Sequence, residues 1–331
     1  MYRRALLAAI AAAGGCTAPT PRRSPTRTTT AVPTPPPDSC PPPGLADRTV
    51  CDASRPVRTT ADPTTARLPR DELQFTLRNE SDRAVLTRQG DRQLWKWTDD
   101  RWQFLTPKGG TGELPPPVEL PPGGTRRLRL QVNTADLGAV QPAFPDADRT
   151  IRLRLTPGTY AFGFEARRQT AGTTPGTGTE TGDAFGDTSR LYTTRFTVAG
   201  DGPGLPPTDR VTSRTRDGDT LAVRSERPAE PDDARRVTLR MDRVTAPDAA
   251  RLTTLELLNP FYALITEFAA DSYLRLFPPT LGLVRDGLAL AEPSDRTVLV
   301  RTREDRTPFL GDSRRLRYED SGWELTGERG W

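Results

Sequence analysis

Carboxylates are the residues most able to support chemistry in this chain, because its 331 residues include no histidine and only three cysteines. Without histidine, neither a Ser-His-Asp triad nor a His-ligated zinc or haem site can form. Three thiols are too few for a four-cysteine zinc or iron–sulfur site. Acid–base catalysis by paired carboxyl groups is the enzyme chemistry that this composition leaves.

The candidate acids for such a pair lie in the C-terminal part of the chain, at Glu256, Glu267 and Asp271. Glu267 and Asp271 are four residues apart and would share one face of a helix. The same spacing is frequent on solvated helices, so we predict no enzyme activity and no cofactor. The run Asp217–Asp219 offers carboxylates to a metal, but no EF-hand spacing follows it, and we predict a turn there and no metal site.

The N-terminus has the pattern of an export signal. Arg3 and Arg4 precede the apolar run Ala5–Ala13, which is too short to span a bilayer core of about 30 Å. Residues 1–15 are therefore predicted to be a signal peptide, and its paired arginines resemble a twin-arginine signal. Small residues directly precede Cys16 and resemble the lipobox of prokaryotic lipoproteins, so Cys16 is the predicted lipidation site.

The following segment, residues 16–44, is rich in Thr, Pro and Arg and is predicted to be an extended stalk. The signal peptide and this stalk carry the whole formal net charge of +4, so the rest of the chain is neutral. A neutral body is not expected to bind nucleic acid through bulk charge. We expect a protein held on the outer face of the cell membrane by the lipid on Cys16.

Lipidation of Cys16 leaves Cys40 and Cys51 as a pair of cysteines that are close in the sequence. An oxidising environment outside the cell favours a disulfide between them. Such a bridge closes a short loop and is expected to contribute about 3 kcal/mol to the free energy of unfolding. Two free thiols are the alternative.

Residues 45–200 show the two-residue periodicity of half-buried strands. Apolar and polar residues alternate over Leu73–Leu77 and again over Leu128–Val132. The runs Leu94–Trp97 and Trp102–Leu105 flank a polar turn, which predicts a hairpin. Short strands at close spacing, with no long helical pattern between them, predict an antiparallel β-sandwich.

Part of this region resembles the entry to strand F of immunoglobulin-like domains. The run Leu155–Phe162 places a Pro-Gly pair ahead of Tyr160, which then stands at the tyrosine-corner position. More widely, residues 16–200 are similar to immunoglobulin-like surface lipoproteins of haloarchaea, although the neutral body departs from the acidic composition usual there. The resemblance implies an immunoglobulin-like sandwich at the cell surface and no defined activity.

Residues 201–207 are rich in Gly and Pro and are predicted to be a linker, and residues 208–331 a smaller α+β domain. Strand-like runs at both ends of this region enclose three predicted helices, at Leu252–Leu258, Phe261–Tyr273 and Leu281–Leu290. Charged residues interrupt this apolar stretch, so it is not predicted to cross a membrane.

Arginines alternate with apolar residues on two predicted strands, and we expect Arg127, Arg129, Arg152 and Arg154 to coat one face of a sheet. Such a face could bind the anionic groups of sulfated or carboxylated glycans or of lipid head groups. Because Asp and Glu are nearly as numerous as Arg and Lys, a charge-balanced solvated face is the other interpretation.

Two further features each have two interpretations. Asn79 begins an Asn-x-Ser pattern and is either N-glycosylated or part of a turn. The Gly/Thr-rich stretch 168–190 is either a recognition loop at one end of the sandwich or a disordered insertion, because ordering such a sequence costs entropy.

These features predict a lipid-anchored surface protein that acts as a non-enzymatic binding or structural module, with an envelope glycan or protein as its partner. The alternatives are a solute-binding lipoprotein of a transporter and a carboxylate-dependent hydrolase. The first requires two α/β lobes around a cleft. The second requires a cleft in which two acids lie about 5 to 10 Å apart.

Overall fold

The structure is a computed structural model that describes residues 34–44, 46–107, 117–133, 150–168, 189–202, 204–226, 235–245, 250–259, 262–265, 278–304 and 314–329. The predicted signal peptide, Cys16, the first part of the predicted stalk and residues 169–188 lie outside these ranges. Within the described ranges, no helix is long and apolar enough to cross a membrane.

The chain is mostly β, as the sequence predicts, and the helices that the structure describes are few. The strands are β1 (Arg48–Val50), β2 (Val57–Asp62), β3 (Thr65–Arg67), β4 (Arg70–Asn79), β5 (Val85–Thr98), β6 (Arg101–Pro107), β7 (Val118–Leu120), β8 (Thr125–Asn133), β9 (Thr150–Leu153), β10 (Gly158–Arg168), β11 (Arg190–Ala199), β12 (Val211–Asp217), β13 (Thr220–Ser225), β14 (Arg235–Val244), β15 (Ala250–Leu252), β16 (Tyr262–Ile265), β17 (Thr297–Glu304), β18 (Arg314–Tyr318) and β19 (Ser321–Arg329). The helices are α1 (Thr254–Leu258) and α2 (Pro278–Leu290).

The strands form three sheets. The first sheet has the order β1-β11-β10-β5-β6-β16, with β3 also paired to β11 and β7 also paired to β5. The second sheet has the order β2-β4-β8-β9, and the third has the order β12-β13-β17-β14-β19-β18-β15. Most neighbours are antiparallel, but β1 and β3 both run parallel to β11.

The first and second sheets pack face to face as a sandwich. Leu73, Phe75 and Leu77 of β4 are fully buried, and their alternation along the strand is the one that the sequence predicts. Phe75 stacks on Phe162 of β10 with the ring centroids 4.2 Å apart, so the two sheets meet through aromatic side chains. The two-residue pattern therefore gives each sheet one face for this core.

The predicted hairpin is confirmed as β5 and β6, in which Trp97 lies opposite Trp102. Asp99 and Asp100 connect the strands with φ angles of 52° and 56°, the left-handed backbone that a two-residue hairpin loop favours. On the face of the first sheet that points away from the sandwich core, four aromatic side chains form a separate buried cluster. Its members are Trp95, Trp97, Trp102 and Phe104.

Helix α2 covers one face of the third sheet. Leu281, Leu283 and Val284 are fully buried in the core that this sheet and the helix share. A Cβ atom added at Gly287 would come within 2.9 Å of Met241 Sδ, so glycine at this position lets the helix backbone lie close to the sheet.

The three predicted helices of the C-terminal region have different outcomes. The helix at Leu281–Leu290 is confirmed as α2, and the first predicted helix is confirmed only as the short α1. The prediction of a helix over Phe261–Tyr273 is wrong for residues 262–265, which form β16 and pair with β6; residues 266–273 lie outside the described ranges. Pairing with an open sheet edge outweighs the helical spacing of a few apolar residues.

Candidate functional site

Residues 34–44, the last part of the predicted stalk and called the strap below, pack against the folded body. The Trp102 indole N–H donates hydrogen bonds to Ser39 Oγ at 3.0 Å and to the Ser39 carbonyl oxygen at 3.3 Å. Arg195 of β11 also donates to that carbonyl and lies over the Trp102 ring. Pro35 and Pro41 of the strap are buried. This end of the predicted stalk therefore contacts the body, and residues 16–33 of the stalk lie outside the described ranges.

A disulfide fastens the strap to the first strand. Cys40 and Cys51 form the predicted bridge, with their Cα atoms 6.1 Å apart. The chain turns back between them at Gly44, whose φ of +64° favours glycine. A Cβ atom added at Gly44 would also overlap the side-chain amide of Gln93, which would have to move. The bridge therefore closes a compact loop against the outer face of the first sheet.

A cleft of about 620 Å³ opens beside this bridge, at the edge of the first sheet where β1 lies next to β11. The lining comes from the strap, from β1 and the turn after it, from the first residue of β2, and from β11. Its members are Pro37, Asp38, Cys40, Arg48, Thr49, Val50, Cys51, Asp52, Arg55, Pro56, Val57, Arg190, Tyr192 and Arg195. The lining therefore contains four arginines and two aspartates.

Two of these arginines lie side by side. Arg48 of β1 and Arg190 of β11 are register partners in the parallel pair, and within the described ranges neither side chain has a hydrogen bond or ion pair. The nearest acid in sequence, Asp47, is already engaged, since its carboxylate accepts hydrogen bonds from the Ser189 N–H and hydroxyl. Four arginines against two aspartates leave the lining with an excess of positive charge, and Arg48 and Arg190 contribute half of its arginines.

The other charges of the cleft are partly balanced. Arg55 lies 3.3 Å from Asp52, and the hydroxyl and backbone N–H of Ser54 hold the pKa of Asp52 below its ordinary value, with Arg55 adding to the effect. Burial lowers the pKa of Arg195, and the charge of Asp38 opposes that shift. The cleft could not be predicted from the sequence. It forms where β1 pairs with β11, and the periodicity of a strand does not show which distant strand it pairs with.

The predicted arginine face exists in part. Arg127 and Arg129 of β8 and Arg152 of β9 are exposed on the outer face of the second sheet. Arg154 does not belong to this face, because only 2% of its surface is exposed. Strand β9 ends at Leu153, so the alternation that placed Arg154 outward does not continue past that residue.

Two of the exposed arginines on this face contact the side chain of Glu72 or of Gln131. Arg129 lies 3.7 Å from Glu72, which also accepts a hydrogen bond from Gln131 at 3.0 Å. Arg152 donates to Gln131 at 3.2 Å. Arg127 is the member of the predicted set that has no partner among the described residues. These contacts pair Arg129 with a carboxylate and Arg152 with a neutral amide, so both interpretations of the face stay predictions.

Asn79 is fully buried at the end of β4. Its Nδ2 donates to the carbonyl oxygens of Arg83 at 2.8 Å and Leu120 at 2.9 Å, and its Oδ1 accepts from the Ser81 N–H. These are the contacts of a turn residue, and they leave no amide hydrogen for a sugar in the folded protein. N-glycosylation at Asn79 stays a prediction that these contacts do not support.

Of the candidate catalytic acids, Glu256 lies in the described ranges. Glu256 is buried in α1, where its carboxylate accepts a hydrogen bond from the Thr253 N–H at 2.9 Å and forms a capping box. Glu267 and Asp271 lie outside the described ranges. The run Asp217–Asp219 forms the turn between β12 and β13, and the described part of the chain has no group of three metal-ligating side chains.

Comparisons with known proteins leave the family open. No protein-family model and no curated protein matches the chain. Among solved structures, the chain is similar to Pseudomonas fluorescens alkylpurine DNA glycosylase AlkC bound to DNA containing an abasic site analog, with 12% identity and a TM-score of 0.19. That likeness covers 45% of this chain and 32% of the glycosylase, so the chain matches about a third of that protein's length. A TM-score this low supports no conclusion about fold or function.

Proposed function

We propose that the protein is an exported, lipid-anchored surface protein whose body acts as a binding module without catalytic activity. The observation that carries this proposal is the Cys40–Cys51 disulfide, which fastens the strap to the body. Disulfides persist mainly in oxidising compartments, so the bridge fits a protein that acts outside the cell. The lipid on Cys16 and export by the twin-arginine route are part of the same proposal.

We also propose an immunoglobulin-like fold for the sandwich and an α+β domain after the linker. The hydroxyl of Tyr160 donates a hydrogen bond to the Thr156 carbonyl oxygen at 2.7 Å, a short backward contact like that of a tyrosine corner. The third sheet with α2 on one face supports the second assignment. Similarity to haloarchaeal surface lipoproteins remains part of the proposal.

The structure of the described residues favours binding over the alternatives. The largely antiparallel sheets differ from the two α/β lobes that a solute-binding lipoprotein requires. A hydrolase requires two free acids in one cleft, but Asp52 in the lining is engaged by Ser54 and Arg55. An anchored body with a charged cleft is suited to holding a ligand at the cell surface.

The variant Cys16→Ser tests the anchor. Without a thiol to acylate, the protein is expected to move from the membrane fraction into the medium, or to persist as an uncleaved precursor. Fractionation followed by immunoblotting measures this distribution. The matched control is Cys51→Ser, which removes a different cysteine and should leave the membrane fraction unchanged. Full membrane retention of Cys16→Ser would contradict the proposal.

A further inference from the structure

We propose that the cleft beside the Cys40–Cys51 bridge is a binding site for an acidic sugar unit, with Arg48 and Arg190 holding its anionic group. This inference deepens the proposed function and rests on it for the idea that the module binds a ligand. Binding of a dissolved sugar does not require a lipid anchor, so the two proposals can fail separately.

Arg48 and Arg190 are two like charges on neighbouring strands. Neighbouring strands lie about 4.8 Å apart, so register partners carry their side chains close together. Like charges at such positions destabilise a sheet. Arg48 and Arg190 nevertheless occupy them, and no carboxylate of the described residues forms an ion pair with either. An anion between the two guanidinium groups would remove this repulsion and accept charge-assisted hydrogen bonds from both.

The two arginines line a concave cleft and not an open surface. A cleft of about 620 Å³ is in the range of small-molecule sites and can enclose a ligand of one or two sugar rings. Arg127, on the outer face of the second sheet, also lacks a partner among the described residues, but it lies on an open surface, where the nearby Arg129 is 3.7 Å from Glu72. The cleft therefore differs from that face by combining an excess of arginines over aspartates with concave walls.

The lining of the cleft contains hydrogen-bond acceptors as well as donors. Asp38 supplies a carboxylate that can accept hydrogen bonds from hydroxyl groups, whereas the arginines supply only donors. The Thr49 hydroxyl is buried in the lining and has no hydrogen-bond partner among the described residues. A ligand that carries both an acid and several hydroxyl groups matches this set. Sugars that bear a carboxylate or a sulfate have this chemistry.

The test measures binding of three matched hexoses to the purified full-length protein by titration calorimetry at low ionic strength. Glucuronate and glucose 6-sulfate are expected to bind, and neutral glucose is expected to bind at least tenfold more weakly. Added salt should weaken binding of the charged sugars, because it screens the arginines. Arg48→Gln and Arg190→Gln should each reduce affinity by about tenfold or more, since each removes a charge-assisted contact.

The control variant is Arg127→Gln, which removes an equally unpartnered arginine outside the cleft and should leave affinity unchanged. Thermal unfolding checks the fold, and Arg48→Gln should unfold at the same or a higher temperature because a like-charge pair is removed. The proposal is overturned if charged sugars bind no better than glucose, or if affinity is insensitive to both cleft variants. Cleft-dependent binding to phosphatidylglycerol vesicles, with no binding of any acidic sugar, would overturn it in favour of a lipid surface.

Discussion

Lys96 lies in the β5–β6 hairpin, and its ammonium group contacts Thr156 and the buried ring of Tyr160. It lies on β5, donates a hydrogen bond to Thr156 Oγ1 at 2.5 Å and lies 5.6 Å from the centre of the Tyr160 ring. Burial lowers the pKa of its ammonium group to about 8; nearby Arg251 also lowers the pKa, and Asp99 opposes the shift. In the folded protein this lysine therefore loses its proton at a lower pH than in the unfolded chain.

The lowered pKa predicts how stability depends on pH. Between about pH 8 and the ordinary lysine pKa of 10.5, the unfolded chain binds a proton that the folded protein does not, so the free energy of unfolding rises with pH. The rise is expected to be about 2 kcal/mol, after allowance for partial hydration of the ammonium group. Urea unfolding at pH 7.5 and about pH 10.5 measures it. Burial raises the pKa of Tyr160 and of Tyr318, which opposes the rise near pH 10 in parent and variant alike, so the quantity to compare is the change in the parent minus the change in Lys96→Met. Equal changes in both proteins would contradict the prediction.

Individual inward-facing residues could be predicted wherever strands continue, and not where they end. The alternation of Leu73, Phe75 and Leu77 holds because β4 extends past all three. The same reasoning fails at Arg154, because the end of β9 depends on its pairing with β8 and not on local sequence. The arginines of the cleft could not be identified, since nothing in the sequence shows that Arg48 and Arg190 are neighbours.

At the scale of elements, the strands of both regions could be predicted from periodicity, but their partners could not. The turn residues between Trp97 and Trp102 identify a hairpin, because both strands are adjacent in the sequence. Strand β16 has apolar residues at helical spacing and pairs instead with β6, whose edge is free to accept hydrogen bonds. In residues 262–265 the helical spacing of apolar residues favours a helix, but pairing with β6 makes them a strand.

The strap yields a prediction at this scale. Replacing both bridge cysteines, Cys40→Ser with Cys51→Ser, should lower the free energy of unfolding by about 3 kcal/mol, because the unfolded chain loses a closed loop. The strap should also detach more often from Trp102, which acrylamide quenching of tryptophan fluorescence measures. Cys16→Ser is the matched control, since that cysteine is not in the bridge. Unchanged stability and unchanged quenching would show that the bridge does not hold the strap.

At the scale of the whole molecule, residues beyond the predicted linker contribute to the first sandwich. Leu255 of α1 belongs to the sandwich core, and β16 extends the first sheet. Asn259 at the end of α1 makes the polar link: its side chain donates to the Arg154 carbonyl oxygen at 2.9 Å and accepts from the Arg154 N–H at 3.0 Å. Both regions are therefore expected to unfold together in one calorimetric transition.

The variant Asn259→Ala tests this link. It leaves the buried N–H and carbonyl of Arg154 without their partners and should lower the free energy of unfolding by about 2 to 4 kcal/mol. Calorimetry should then show an earlier transition or two separate ones. The control Thr60→Ala, at an exposed position of β2, should change stability by less than about 0.5 kcal/mol. An unfolding transition of Asn259→Ala identical to that of the parent would show that the link is dispensable.

The position of the disulfide also decides how the molecule bears mechanical load. A pull on the chain before residue 34 can peel the strap only as far as Cys40, where the bridge carries the force directly to Cys51. Strand β1 lies inside the closed loop, so tension bypasses it and its pairing with β11 is not drawn apart. Arg48 and Arg190 would then keep their spacing while flow or a bound surface drags on the body.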